Sequence, residues 1–251
     1  MPDPEPLPPV GGTSPWTWNV PAVADARLPL VLHRVHRHLE VGVPVDLRFT
    51  SSVDDDRLLA LVRGAGFDDP DLCVDTDGCP VVRAVRSRTL ADSVGPGMRL
   101  LVCGVNPSLY SADAGVGYAR PGNRFWPAAL AAGVARVDRD AEAALASGLG
   151  MTDFAKRATR TAAEVTRTEY EAGFARVSDL VPWLVPGAVC FVGLSGWRTV
   201  VDSRAVAGVQ PDRVGGRPAY LMPSTSGLNA RTPLAELVGH LRAAWDLGRA
   251  S

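Results

Sequence analysis

Three strand-length stretches, apolar on both faces, constrain the fold more than any other feature: RLLVCGV at 99–105, AVCFVGL at 188–194 and AYLMP at 219–223. A strand apolar on one face can border solvent. One apolar on both faces must be covered twice, as central parallel strands flanked by helices are. Helical spacing fills the intervals, in NRFWPAALAAGV (123–134), RTEYEAGFARVSDLV (167–181), SGWRTVVDSR (195–204) and TPLAELVGHLRAAWDL (232–247). The alternation predicts an α/β fold over 91–251: three layers, a central, mainly parallel sheet and right-handed crossovers. The turn GPGM (95–98) marks the break before it, and no repeat of 20–50 residues is visible.

The preceding segment reads differently. Residues 1–26, rich in Pro, Gly and acidic residues, are expected to form a flexible arm that Trp16 and Trp18 could pin to a surface. Residues 27–90 predict a small α+β extension of unassigned role, with helices at 28–39 and 55–66 and strands at 43–50 and 79–87. Residues 1–95 carry 9 Arg/Lys against 14 Asp/Glu, and residues 96–251 carry 17 against 13, which suggests two units, the second able to approach a polyanion. An apolar content of 46% argues against global disorder. No apolar run approaches the roughly 20 residues of a membrane-spanning helix, and the acidic, proline-rich start is unlike a signal peptide. A soluble, cytoplasmic protein is expected.

Several chemistries are set aside on spacing. Cys73, Cys79, Cys103 and Cys190 form no C-x-x-C, so neither a disulfide framework nor a zinc module is expected, and Cys103 and Cys190 read as buried small hydrophobes. His33, His36 and His38 lack a completing ligand and read as an exposed basic helix, not a metal site. The GPGM glycines precede a strand, against the dinucleotide-binding order. Gly193-Leu194-Ser195-Gly196 is not a hydrolase nucleophile elbow.

In open α/β sheets ligands bind beyond the carboxyl ends of the strands, so the loops after the predicted strands carry the functional reading. The first strand runs into Gly104-Val105-Asn106-Pro107-Ser108-Leu109 and, farther on, YARPGNRFWP (118–127). A second segment is Gly150-Met151-Thr152-Asp153-Phe154-Ala155-Lys156-Arg157, and a third is MPSTSGLNAR at 222–231. In this order the segments resemble the mismatch-specific uracil/thymine DNA glycosylases of the uracil-DNA glycosylase superfamily, over about residues 90–248.

The resemblance implies hydrolysis of the N-glycosidic bond of uracil mispaired with guanine, with thymine or related lesions as further candidates. The base must first leave the duplex. Leu228 would fill the vacated stack as an apolar wedge, while Ser224, Ser226 and Gly227 let its loop approach the phosphates and Arg231 adds charge. Asn106 would orient the attacking water, although Asn-Pro is also a common turn starter. The backbone around Ser108 and Tyr118 would receive the leaving group's charge, and the Tyr118 ring would stack on the base.

Glycine is usual where Ser108 stands, and several relatives have phenylalanine in place of Tyr118, so substrate range is less firmly implied than reaction type. Asp153 fits either a general base or an N-cap or ion-pair partner of Lys156 or Arg157. Ser111 fits either a pocket hydrogen bond or a loop-stabilising hydroxyl. Lys156 and Arg157, with Arg160 and Arg167 beyond, read as a phosphate-contacting patch or as solvated charge, as do Arg120 and Arg124. Double-stranded DNA with a damaged or mismatched base is the expected partner. No metal or organic cofactor is called for, a monomer is expected, and with Lys156 as sole lysine no lyase activity is expected. Two rivals stand beside this reading, a non-catalytic sensor of distorted duplex and a glycosylase for a different deaminated base.

Overall fold

The computed structural model describes residues 16–50, 53–229 and 231–249, which form two sheets. The N-terminal sheet is built from β1 (Trp16–Asn19), β2 (Pro44–Arg48), β3 (Phe67–Val74) and β4 (Pro80–Arg86), in the order β1-β2-β4-β3. Its helices are α1 (Leu28–His38) and α2 (Asp55–Gly64), the latter capped by Asp54, whose carboxylate accepts from Arg57 N. The chain then supplies β5 (Leu100–Gly104), α3 (Leu109–Ala114), α4 (Phe125–Ala132), α5 (Ala141–Ala146), β6 (Leu149–Asp153), α6 (Arg167–Leu184), β7 (Ala188–Val192) and α7 (Ser195–Val200). The last elements are β8 (Gly208–Val214), β9 (Arg217–Met222) and α8 (Leu234–Leu247).

The five-stranded sheet has the order β6-β5-β7-β9-β8, parallel throughout except for β8, which pairs antiparallel with β9 at the edge. Its three central strands are the three apolar runs, and their side chains divide by alternation. Leu100, Val102, Ala188, Cys190, Val192, Tyr220 and Met222 face α4 and α8, whereas Leu101, Cys103, Val189, Phe191, Ala219 and Leu221 face the layer containing α6 and α7. Both layers are required, which is why neither face of these strands is polar. Because β5 has β6 on one side and β7 on the other, the chain switches direction beside β5 and opens a crevice beyond the strand ends there. Among the described residues no helix is long and apolar enough to cross a membrane.

Two expectations for the N-terminal region are corrected. Residues 16–26 are not a free arm: Trp16–Asn19 pairs in parallel with Val45–Arg48, and Trp18 is fully buried. Residues 1–15 lie outside the described residues. Helix α1 is not an exposed basic helix either, since His33 and His36 are buried and only His38 reaches solvent. The apolar residues at 28, 31, 32 and 35 line one side of α1, while the His36 ring meets Phe67 edge-on and lies beside the Ser87 carbonyl. One continuous apolar cluster joins Trp18, Leu32, Leu61 and Phe67 to Leu101, Val177, Leu180 and Phe191, so the two sheets share a core.

Candidate active site

A cavity of about 540 Å³ opens where β5, β6, β7 and β9 end, and the segments after those strands build its walls. Asn106, Ser108, Ser111, Tyr118, Asp153, Ser224, Ser226 and Leu228, all singled out in the sequence, line it together.

Asn106 follows β5 by two residues and is half-buried. Its Nδ2 donates to the Arg157 carbonyl at 3.0 Å, the Pro107 carbonyl at 3.2 Å and Thr159 Oγ1 at 2.7 Å. The Thr159 hydroxyl passes its own proton to the Thr161 carbonyl at 2.7 Å, so it accepts from the amide. Carbonyl acceptors fix which end of the amide is the NH₂, and Oδ1 is left as an acceptor with no partner among the described residues. The loop itself is tied down by a bridge in which Leu109 N donates to Thr159 O and Thr159 N to Pro107 O, both at 3.1 Å.

Asp153 ends β6 beside Gly104, its register partner on β5. A Cβ on Gly104 would lie 2.2 Å from Asp153 Oδ1 and 3.0 Å from the Tyr118 hydroxyl, so only glycine lets these two groups converge there. The carboxyl is raised to a pKa of about 6, chiefly by desolvation; Lys156 and Arg176 pull it down and Asp92 pushes it up. The Tyr118 hydroxyl is buried without a hydrogen-bond partner. Its ring stacks on Phe125 at 4.1 Å between centroids and 17° between planes. The Tyr118 backbone, at φ +58°, occupies the left-handed region that non-glycine residues seldom adopt. Neither Ser108 N–H nor Tyr118 N–H donates to another described atom.

A buried ionic cluster stands behind Asp153. Asp92 accepts from Thr152 Oγ1 at 2.6 Å, Lys156 Nζ at 2.9 Å and Arg176 Nη1 at 2.6 Å. Arg176 Nη2 also donates to Asp153 O at 2.7 Å, fixing the end of β6. Desolvation works against the Asp92 carboxylate, but the Arg176 and Lys156 charges outweigh it and hold its pKa below the usual range.

Ser108 is the N-cap of α3, its hydroxyl accepting from Ser111 N at 3.1 Å, which gives a local reason for a serine at this position. Ser111 is buried and accepts from Ala119 N at 3.2 Å, so its hydroxyl also braces the loop that brings Tyr118 to the cavity. In the β9 loop, Ser224 Oγ accepts from Ser226 N and Ser226 Oγ from Leu228 N, both at 3.3 Å. Leu228 stands 82% exposed at the rim, and Gly227 beside it closely approaches the Gly122 carbonyl. This loop is gripped by Arg124, whose guanidinium donates to the carbonyls of Ser226, Asn229 and Thr232.

The basic patch resolves into different roles. Lys156, expected at a phosphate, turns inward to Asp92. Arg157, also expected there, is bidentate on Glu169 at 2.7 and 3.0 Å. Arg120, Arg160 and Arg231 are exposed and form no ion pair with any described residue. Sequence reasoning missed Thr159, which orients Asn106, and the Asp92–Arg176 pair, 84 residues apart in sequence. It read Arg124 as a phosphate contact or solvated charge, and no local signal separates those roles from its grip on a loop 102–108 residues away.

A structural relative is the solution NMR structure of a candidate uracil DNA glycosylase from Methanosarcina acetivorans, 19% identical, with a TM-score of 0.45; the match covers 62% of this chain and 97% of that one. The profile of the uracil DNA glycosylase superfamily matches residues 91–246. That match takes in all five strands of the central sheet and each strand-end loop of the cavity. The chain belongs to the uracil DNA glycosylase superfamily.

Proposed function

We propose that this glycosylase hydrolyses the N-glycosidic bond of uracil mispaired with guanine, with thymine and related lesions as further substrates, and that it acts as a monofunctional enzyme. The observation that carries the reading is the fixed Asn106 amide, whose unpartnered Oδ1 lines the same cavity as Asp153 and Leu228. Leu228 enters the stack as the base leaves it, and the base lies in the cavity against the free face of Tyr118. A water donates one hydrogen bond to Asn106 Oδ1 and attacks the anomeric carbon. Its proton passes to Asp153, and the electrons of the breaking C–N bond leave with the base as an anion. The N–H groups of Ser108 and Tyr118 are the donors available to that anion.

Base release from a G·U duplex with enzyme in excess tests this directly. Asn106→Ala is expected to slow release by about 10²–10³-fold, the usual cost of removing one positioned polar group from such a site. Duplex binding should persist. Equal binding with no release by wild type would favour the sensor of distorted DNA. For monofunctional action, borohydride is expected to trap no DNA adduct, since the Lys156 ammonium turns inward to its ion pair with Asp92.

A further inference from the structure

We propose that His33 reads the polar edge of the extruded base remote from its sugar, so that the segment preceding the superfamily match supplies a specificity-determining residue to the site. The inference rests on the reading that the cavity receives an extruded base. His33 lies on α1, outside residues 91–246, yet lines the same cavity as Asn106 and Asp153. It is 3% exposed, and neither ring nitrogen has a well-aligned hydrogen-bond partner among the described residues; the Ala91 and Asp92 backbone groups make only weak polar contacts with the ring. A buried polar side chain without a partner is rare in a native fold and calls for an explanation.

The path from the reacting end to His33 follows β6. Asp153 and Met151 lie two residues apart on one face of the strand, about 7 Å from each other at the usual rise per residue. Met151 is bonded through its backbone to Ser93. Around that point the cavity is walled by His33, Leu90, Ala91 and Met151. Ser93 and Thr152, which also line the cavity, donate to the Ala141 carbonyl at 3.2 Å and to Asp92 Oδ1 at 2.6 Å. With both of those hydroxyls engaged, the imidazole is the group of this wall that can meet a ligand.

Burial first, and then the Arg37 charge, keep the ring's pKa below its usual range. A neutral imidazole offers one donor and one acceptor, which suits a base carbonyl or ring N–H and not a phosphate.

The test uses the full chain carrying His33→Gln or His33→Phe, with single-turnover release from duplexes holding uracil, thymine or hypoxanthine. His33→Phe is expected to change the ratio of rates between bases by fivefold or more, with binding to undamaged duplex unchanged, and His33→Gln to recover part of the wild-type ratio. An equal fall for every base would overturn the proposal, because a residue that only fills space cannot rank substrates. A second measurement follows the His33 ring resonances of the wild-type protein by NMR as free uracil, then hypoxanthine, is added. A saturable shift supports the assignment even if wild type releases no base from any duplex, a result that would sink the glycosylase reading alone. No shift with either base overturns it.

Discussion

Asp153 holds a carboxylate where burial opposes charge, and its pKa of about 6 ties activity and stability to pH in opposite directions. The folded value lies above the ordinary 3.8, so folding favours the protonated form. The resulting stability is fully present below pH 4 and is lost as pH rises towards 6. Asp153→Asn removes that penalty, and the variant is expected to be more stable than wild type at pH 8 by about 1–2 kcal/mol, less than the full shift allows because the carboxylate borders an open cavity. Denaturant unfolding at pH 4 and pH 8 checks the sign, and a difference independent of pH would remove the carboxylate as its cause. With Asp153 in its proposed role as general base, wild-type base release should rise with pH through about 6, while Asp153→Asn gives a slower and flatter profile. At this scale the sequence was legible where a residue's placement follows from its position after a strand end, as for Asn106, which lines the cavity. It was incomplete where the role depends on a distant partner: Lys156 and Arg157 read as phosphate ligands or solvated charge until Asp92 and Glu169 come into view.

The loop after β9 shows what elements add to residues. An exposed leucine is an effective wedge only if its backbone resists being pushed back, and here Arg124 supplies the resistance by holding three loop carbonyls from the start of α4. Leu228→Ala is expected to slow base release by about 10-fold or more, since the wedge offsets an unstacking cost of a few kcal/mol. Arg124→Ala should produce a similar loss although it leaves Leu228 in place. Release from a single-stranded uracil oligonucleotide, which needs no unstacking of a pair, separates the cases: both variants should recover most of their activity there. Persistent loss in Arg124→Ala alone would mean that the arginine does more than brace the loop. The central strands were legible because double burial forces apolarity. Edge strands escape that rule: β8 (GVQPDRV) and β3 (FDDPDLCV) each pair on one side only, tolerate proline and acidic residues, and leave no apolar signature. β6 is also an edge strand, and its five residues were read as a motif and not as a strand.

Periodicity tells which face of a helix is apolar, but not what covers it, and the acidic N-terminal third therefore read as a separate unit. In the folded chain α1 and α2 cover part of the layer that supports the active site. Pro29, Leu61 and Ala65 line a small cavity against Val94 and Leu180. Arg57 donates to the Asp179 carbonyl at 2.9 Å and lies 5.5 Å from the Trp183 ring centroid, and Arg34 pairs with Glu142 at 2.8 Å. Asp92, which orders the end of β6, donates its own N–H to the Gly64 carbonyl at the end of α2. Cutting before residue 91 would therefore expose one side of the shared core and remove the Gly64 carbonyl that anchors the Asp92 backbone, although the Asp92 ion pairs with Lys156 and Arg176 stay in the shortened chain. At about 1.5–3 kcal/mol for each large apolar side chain returned to water, uncovering that core approaches the whole stability of an ordinary domain. A chain beginning at residue 91 is expected to lose cooperative thermal unfolding and to be cleaved rapidly by protease, where the full chain resists. If the shortened chain instead melts cooperatively at the temperature of the full one and releases uracil at the same rate, the shared core contributes little, and the N-terminal sheet is an attachment to an independent catalytic unit.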